Sequence, residues 1–303
     1  MSDSLPVLPA DTSESGCAKV LPVEHYDLEA TLSSGQAFRW RRSAQAWVGV
    51  IDTHWVRLES AGHSILARTA KPVSEWGWLT DYLQCELDLE EILRSFPSDE
   101  PMGNAVAACH GLRLLRQSPW ECLVSFLLSS TKQIVQIQQI VALLCQRFGE
   151  PLAVPPGDPA TQAFPSADRL ARATEEELCA CKMGFRAPYV SAAARAVEDG
   201  SLGLEGLRQL PVEAAREELM RLPGVGRKIA DCVLLFAYGF QAAFPVDVWV
   251  MRALRQLYFP RRRVSLERLH RFSAEHFGPY AGYAQQYLFH YARTKLTIAR
   301  DPK

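Results

Sequence analysis

Lys228 follows a Pro-Gly-Val-Gly turn, and Asp247 stands nineteen residues beyond it, just ahead of a run that reads as a helix. A neutral lysine amine attacks electrophilic carbon and can form a Schiff base with an opened sugar. A nearby carboxylate can stabilise the positive charge that develops and assist proton transfers. Each residue alone has an ordinary explanation. A lysine at a helix start is usually solvated, and an aspartate before a helix is usually its N-cap. The stretch EELMRLPGVGRKIADCVLLFAYG, residues 217–239, gives the lysine a special setting. An amphipathic helix ends at Leu222, Pro223-Gly224-Val225-Gly226 turns the chain tightly, and an apolar helix starts at Arg227 or Lys228. The two glycines permit positive φ, so the amides of Gly224, Val225 and Gly226 can converge at the start of the second helix. Unpaired amides and the positive helix end together suit a nucleic-acid phosphate. A generic helical hairpin explains one of the glycines, not both.

Two kinds of element must position these groups. Residues 24–70 read as strands: LEATLSS, FRW, AWVGVID, HWVRLES and HSILART are short, rich in β-branched or aromatic residues, and separated by turn signals. From Ser74 the pattern becomes helical, first WGWLTDYL and then LDLEEILRSF, with acids early and arginine late as the helix dipole favours. Beyond Pro101 helices are expected at 102–111, 118–130, 133–148, 166–173, 174–182, 187–198, 213–222, 227–239, 248–258, 265–276 and 280–294. A Pro- and Gly-rich loop fills 151–165. The fold class is α+β. A disordered start over 1–20 precedes an antiparallel β domain over 21–101 and a helical domain over 102–303, with the hairpin at 213–239.

The chain has 303 residues, 48% hydrophobic, with a formal charge of −1. That total excludes no partner, but the distribution is uneven. From Pro211 onward there are 15 Lys and Arg against 8 Asp and Glu, the asymmetry of a surface that faces nucleic acid or of a solvated basic face. Eight scattered cysteines without CxxC or Cys/His metal spacing point to a reducing compartment, free thiols and no bound metal. The polar first sixteen residues do not read as a signal peptide. The stretch from Val233 to Phe244 is too short to span a bilayer.

L-P-G-V-G-R-K is the helix-hairpin-helix signature, and with the downstream aspartate it matches the arrangement of the helix-hairpin-helix DNA glycosylases. Along nearly its whole length the sequence resembles the 8-oxoguanine DNA glycosylase family. The matching segments are SSGQAFRW (33–40), LRLLRQSPWECLVSFLLSS (112–130), MGFRAPYVSAAARAV (183–197), LPGVGRKIADC (222–232), FPVDVWVMRAL (244–254) and GPYAGYAQQYLF (278–289). The resemblance implies a TBP-like β domain packed on a helical domain, with a lesion pocket between them. It implies a bifunctional glycosylase/AP lyase of base excision repair, acting on double-stranded DNA that contains a damaged base and needing no cofactor. Lys228 would be the nucleophile and Asp247 its assistant. Gly35 would read the N7 proton of 8-oxoguanine, Cys232 and Phe289 would sandwich the flipped base, and Gln285 would contact its Watson–Crick edge.

Three positions depart from the eukaryotic pattern. Thr131 stands where an asparagine fills the hole left by the extruded nucleotide, and Gln136 replaces one of two arginines that read the opposite cytosine; the other, Arg186, is retained. Trp249 replaces a phosphate-contacting histidine. A good side-chain-to-base pairing is worth about 1–3 kcal/mol, so a relaxed preference for the opposite base is expected. The rivals are a monofunctional alkylbase glycosylase, which would lack the lysine, and a non-catalytic DNA-binding module using the hairpin alone. An iron–sulfur enzyme of the endonuclease III type is disfavoured, since no cysteine follows Cys232. The expected setting is a monomer in a bacterial cytoplasm, associated with the nucleoid, or in the nucleus if the source is eukaryotic.

Overall fold

A computed structural model describes residues 16–130, 132–260, 262 and 264–296. The expected disordered start lies outside the described residues up to position 15. Its end is structured: β1 (Ala18–Pro22) begins inside it, because Val20 and Leu21 pair with Leu66 and Ile65. With β2 (Arg41–Ser43), β3 (Ala46–Ile51), β4 (His54–Ser60) and β5 (Ser64–Thr69) it forms one antiparallel sheet in the order β1-β5-β4-β3-β2. The β2–β3 and β3–β4 turns are tight and place Ala44 and Asp52 at positive φ, as the twist of a two-residue hairpin demands.

The strand reading of LEATLSS does not hold. These residues form a helix, α1 (Leu28–Ser33), capped by Asp27, whose carboxylate accepts from the Ala30 amide at 2.8 Å. Leu28 and Leu32, one turn apart, both pack into the sheet's core. FRW is not a strand either. Trp40 crosses the sheet face over Gly49, where a Cβ would lie 2.5 Å from the indole, and its Nε1 donates to Tyr82 at 2.9 Å. Two helices follow, α2 (Gly77–Leu83) on the sheet and α3 (Leu89–Arg94) beyond it.

The remaining helices close around a second core. They are α4 (Glu100–Ala108), α5 (Pro119–Leu128), α6 (Ile134–Phe148), α7 (Ala167–Arg172), α8 (Glu175–Ala180), α9 (Ala187–Glu198), α10 (Val212–Met220), α11 (Arg227–Val233), α12 (Val248–Tyr258), α13 (Leu266–His276) and α14 (Ala281–Thr294). The single helix expected over 227–239 changes pitch midway. Beyond Val233 it widens into a π-turn, Leu234–Tyr238, which ends at left-handed Gly239. The Gln117 amide donates to the Phe236 carbonyl there at 2.8 Å.

Along the seam where the two cores meet, buried polar groups run beside apolar contacts such as Phe38 on Phe126. Gln36, fully buried, donates to the Thr31 and Arg113 carbonyls at 2.9 and 2.8 Å and accepts from the Leu115 amide at 2.8 Å. Gln117 donates to the Gln36 carbonyl at 2.7 Å, and Gln286 of α14 to the Ser34 carbonyl at 3.2 Å. Buried polar groups are tolerated when bonded in this way. The effect is to clamp the residues on either side of Gly35 against α14 and the 112–117 segment.

Candidate active site

The helical hairpin carries the lysine. α10 ends at Met220 and the chain reverses through Arg221–Gly226 into α11. Gly224 has φ +83, and a Cβ on it would press to 2.6 Å from the Tyr189 ring, so only glycine fits. Gly226 differs from expectation. Its φ is −95 and nothing lies within 4 Å of a Cβ, so it is not required by conformation; it is the N-cap of α11. Gly224 and Gly226 are exposed, whereas Val225 is buried and its amide closes the turn onto the Leu222 carbonyl at 3.1 Å. The Ile229 and Ala230 amides bond back to the Gly226 carbonyl at 3.0 Å, whereas those of Arg227 and Lys228 have no intrahelical partner by position and present donors at a positive helix end. A buried ion pair fixes the hairpin behind them. Arg216 of α10 donates to Asp231 of α11 at 2.6 Å, with side chains 5% and 1% exposed, and also to Glu213.

Lys228 projects from the first turn of α11 into a cavity of about 360 Å³, walled mainly by the helical core and edged by Gly35 and Phe38. Its Nζ donates to Ser129 Oγ at 2.9 Å and lies 5.3 Å from the centre of the Phe126 ring. Ser129 in turn donates to the Phe126 carbonyl at 2.7 Å, so its hydroxyl is oriented to accept from the amine. Asp247 lines the same cavity and caps α12, accepting from the Val250 amide at 2.8 Å. Both explanations weighed for this aspartate are therefore compatible. Burial pushes the Asp247 carboxyl above the ordinary carboxylate range, against the Val250 amide and the charges of Lys228 and Arg293, which pull it down.

Gly35, Cys232, Gln285, Phe289 and Trp249 also line this cavity. Cys232 lies one turn after Lys228 on α11, and burial pushes its thiol up to about 12. It is thus a neutral packing group and no rival nucleophile. Gln285 and Phe289 lie one turn apart on α14. Gln285 is 4% exposed and its Oε1 has no hydrogen-bond partner, which costs about 1–3 kcal/mol for a buried acceptor. Gly35 has φ +77, and a Cβ there would approach Ile134 Cδ1 to 2.5 Å. Trp249 is 40% exposed at the cavity mouth.

The residues expected to face the opposite strand lie outside the lining of this cavity where they are described. Thr131 lies outside the described residues. Gln136 is exposed and serves the α6 capping box, accepting from the Gln133 amide at 3.0 Å. Arg186 is buried, with its guanidinium 4.2 Å from the centre of the Phe185 ring. Neither lines the cavity. Three groups were missed by the sequence reading. Ser129 holds the amine. Phe185, 62% exposed, packs edge-on against Tyr189 beside the hairpin glycine. Arg293, one turn beyond Phe289, lines the cavity with its guanidinium 5.3 Å from that ring's centre, and its buried Nη1 has no partner. No spacing marks them, because each is brought to its place by a different helix.

This geometry has relatives. The chain matches the 8-oxoguanine DNA glycosylase N-terminal domain over residues 20–123 and the HhH-GPD superfamily of base excision DNA repair proteins over residues 124–277. An N-glycosylase/DNA lyase of Arabidopsis thaliana is 33% identical over 94% of this chain and 83% of its own length. A probable N-glycosylase/DNA lyase of Methanothermobacter thermautotrophicus is 28% identical over 92% of this chain and 97% of its own. Among solved structures, the Clostridium acetobutylicum 8-oxoguanine glycosylase/lyase, bound to double-stranded DNA with cytosine opposite 8-oxoguanine, superposes with a TM-score of 0.85. It is 33% identical and is matched over 89% of this chain and 93% of its own. The β domain and the helical domain thus occur together in a known architecture, and the chain belongs to the 8-oxoguanine DNA glycosylase family within the HhH-GPD superfamily of base excision DNA repair proteins.

Proposed function

We propose that this protein is a bifunctional DNA glycosylase/AP lyase that extrudes 8-oxoguanine, and related oxidised purines, from duplex DNA into the cavity that holds Lys228 and Asp247. The observation that carries this reading is a single one. A lysine amine and a carboxylate open into a cavity walled by Cys232 and Phe289, with the unpartnered Gln285 acceptor on its floor. A purine stacks between such walls, and the N–H groups of its Watson–Crick edge supply the donor that Gln285 lacks. The Lys228 amine bonds to C1′ as the glycosidic bond breaks and its electron pair leaves with the base. The Asp247 carboxylate stabilises the oxocarbenium-like sugar. Opening of the sugar ring gives the Schiff base, and loss of a C2′ proton then expels the 3′ phosphate by β-elimination.

The hairpin amides around Gly224 and Gly226, with Trp249 at the cavity mouth, hold the DNA backbone. Arg186 reads the base left behind. Its partner position, Gln136, is committed to capping α6, which supports a relaxed preference for the opposite base. The protein works as a monomer on double-stranded DNA, and a bacterial cytoplasmic, nucleoid-associated setting fits it. No helix among the described residues is long and apolar enough to cross a membrane.

Excision is measured on duplexes carrying 8-oxoguanine opposite each of the four bases, with guanine as control. The expected result is release of 8-oxoguanine, not guanine, at comparable rates across all four partners, and release slowed about tenfold or more in Gln285→Leu. Equal action on guanine contradicts the lesion assignment. Strict dependence on cytosine contradicts the relaxed preference.

A further inference from the structure

Outside the lining of the lysine cavity, the fold brings two histidines and a glutamate together from three separate stretches of chain. His25 lies just before α1, Glu90 in the first turn of α3, and His110 just after α4. One ligand atom from each lies within 4.8 Å of the other two. His110 Nε2 and Glu90 Oε1 are 3.2 Å apart. That is close to the roughly 3.3 Å edge of a tetrahedron with metal–ligand distances of 2.0–2.1 Å. The His25 and His110 rings meet edge to face, 5.3 Å between centres. All three side chains are exposed, so an ion can reach them.

The three segments are fixed by contacts that need no ion. The Asp27 amide donates to the Gly111 carbonyl at 2.8 Å, which ties the His25 segment to the His110 segment. A Cβ on Gly111, at φ +97, would lie 2.9 Å from the His25 carbonyl oxygen, so glycine is required for the two histidines to approach. The buried Arg113 guanidinium donates to the Glu24 carbonyl at 3.0 Å and to the Leu87 carbonyl, holding the residue before His25 and the approach to α3 in one grip. His25 itself is held at φ +48, a left-handed conformation uncommon for a residue other than glycine. Two neighbouring carboxylates are engaged elsewhere. Asp27 caps α1, and Glu29 pairs with Arg42 at 2.6 Å.

We propose that His25, Glu90 and His110 form a binding site for a divalent transition metal, zinc in the first instance. Two imidazoles and one carboxylate are a donor set suited to zinc, and a solvent molecule completes the tetrahedron. The ion ties the base of α1 to the helices α3 and α4. Because α1 runs directly into the Gly35 loop, the tie steadies the β-domain side of the cavity. Sequence spacing cannot reveal this set, since 65 and 20 residues separate its members.

The full chain is freed of metal with a chelator, moved to a buffer without phosphate, and titrated with zinc alone. Bound zinc and the melting temperature are followed in the wild type, in His25→Ala/His110→Ala and in Glu90→Gln. The side chains replaced are exposed, so the metal-free variants should melt close to the wild type. The wild type is expected to take up one more zinc ion per chain than the double variant. Its melting temperature should rise with zinc, and the rise should be lost in the double variant and reduced in Glu90→Gln. Equal zinc uptake by wild type and double variant overturns the site, since the free thiols then account for the binding. Extra zinc with no change in melting temperature overturns the structural tie.

Discussion

Asp247 carries two duties in one side chain. As the cap of α12 it accepts from the Val250 amide, and as a cavity group it faces Lys228 and Arg293. An ordinary aspartate titrates near about 3.9, and burial lifts this one above that range. If the carboxylate is the working form, the rate falls as pH drops through this raised pKa. Arg293 favours the charged form, so removing its cation lifts the pKa further. Arg293→Leu should therefore move the acid limb of the single-turnover rate toward neutral pH; a limb that stays in place, or moves to lower pH, would show that the guanidinium does not act on Asp247. Lys228 and Asp247 were legible in the sequence because a distinctive turn and a fixed spacing mark them. Arg293 and Ser129 were not. An arginine late in a helix and a serine at a helix end look ordinary until α14 and α5 bring them to the same cavity.

At the scale of elements, α11 is the part on which the site depends. It presents Lys228 from its first turn and Cys232 from its second, and the Arg216–Asp231 pair holds it against α10. Removing one partner of a buried pair costs about 3–5 kcal/mol, because the other charge is stranded. Arg216→Ala leaves Asp231, among the described residues, with the half-exposed Arg227 3.7 Å away. A loss of this size in chemical denaturation, with weakened binding to damaged and undamaged DNA alike, is the expected outcome. A loss below about 0.5 kcal/mol, as at ordinary surface positions, would show that the hairpin stands without the pair. The hairpin was readable because Pro, Gly and helical periodicity are local signals. The π-turn after Val233 was not, since contacts from the 116–117 segment accompany it. α1 was misread as a strand because six residues are too few to show a helical period, and its cap and its sheet-facing leucines speak only once the sheet is present.

At the scale of the molecule, hydrogen bonds through Gln36, Gln117 and Gln286 hold the residues around Gly35, at the edge of the cavity, against the helices. Gln36→Leu should destabilise the protein by about 1–3 kcal/mol for the stranded Leu115 amide. It should also slow excision by freeing the Gly35 loop. Unchanged thermal stability would show that the seam does not depend on Gln36. The two-part architecture was legible from the switch between alternating and helical patterns near Ser74. The seam was not, because a buried glutamine has no sequence signature. The proposed chemistry requires Lys228 to become covalently joined to DNA, and borohydride reduction during turnover on an 8-oxoguanine duplex tests this directly. The wild type should yield a stable protein–DNA adduct that is lost in Lys228→Gln. Absence of the adduct in the wild type, or its persistence in the variant, would contradict the central claim.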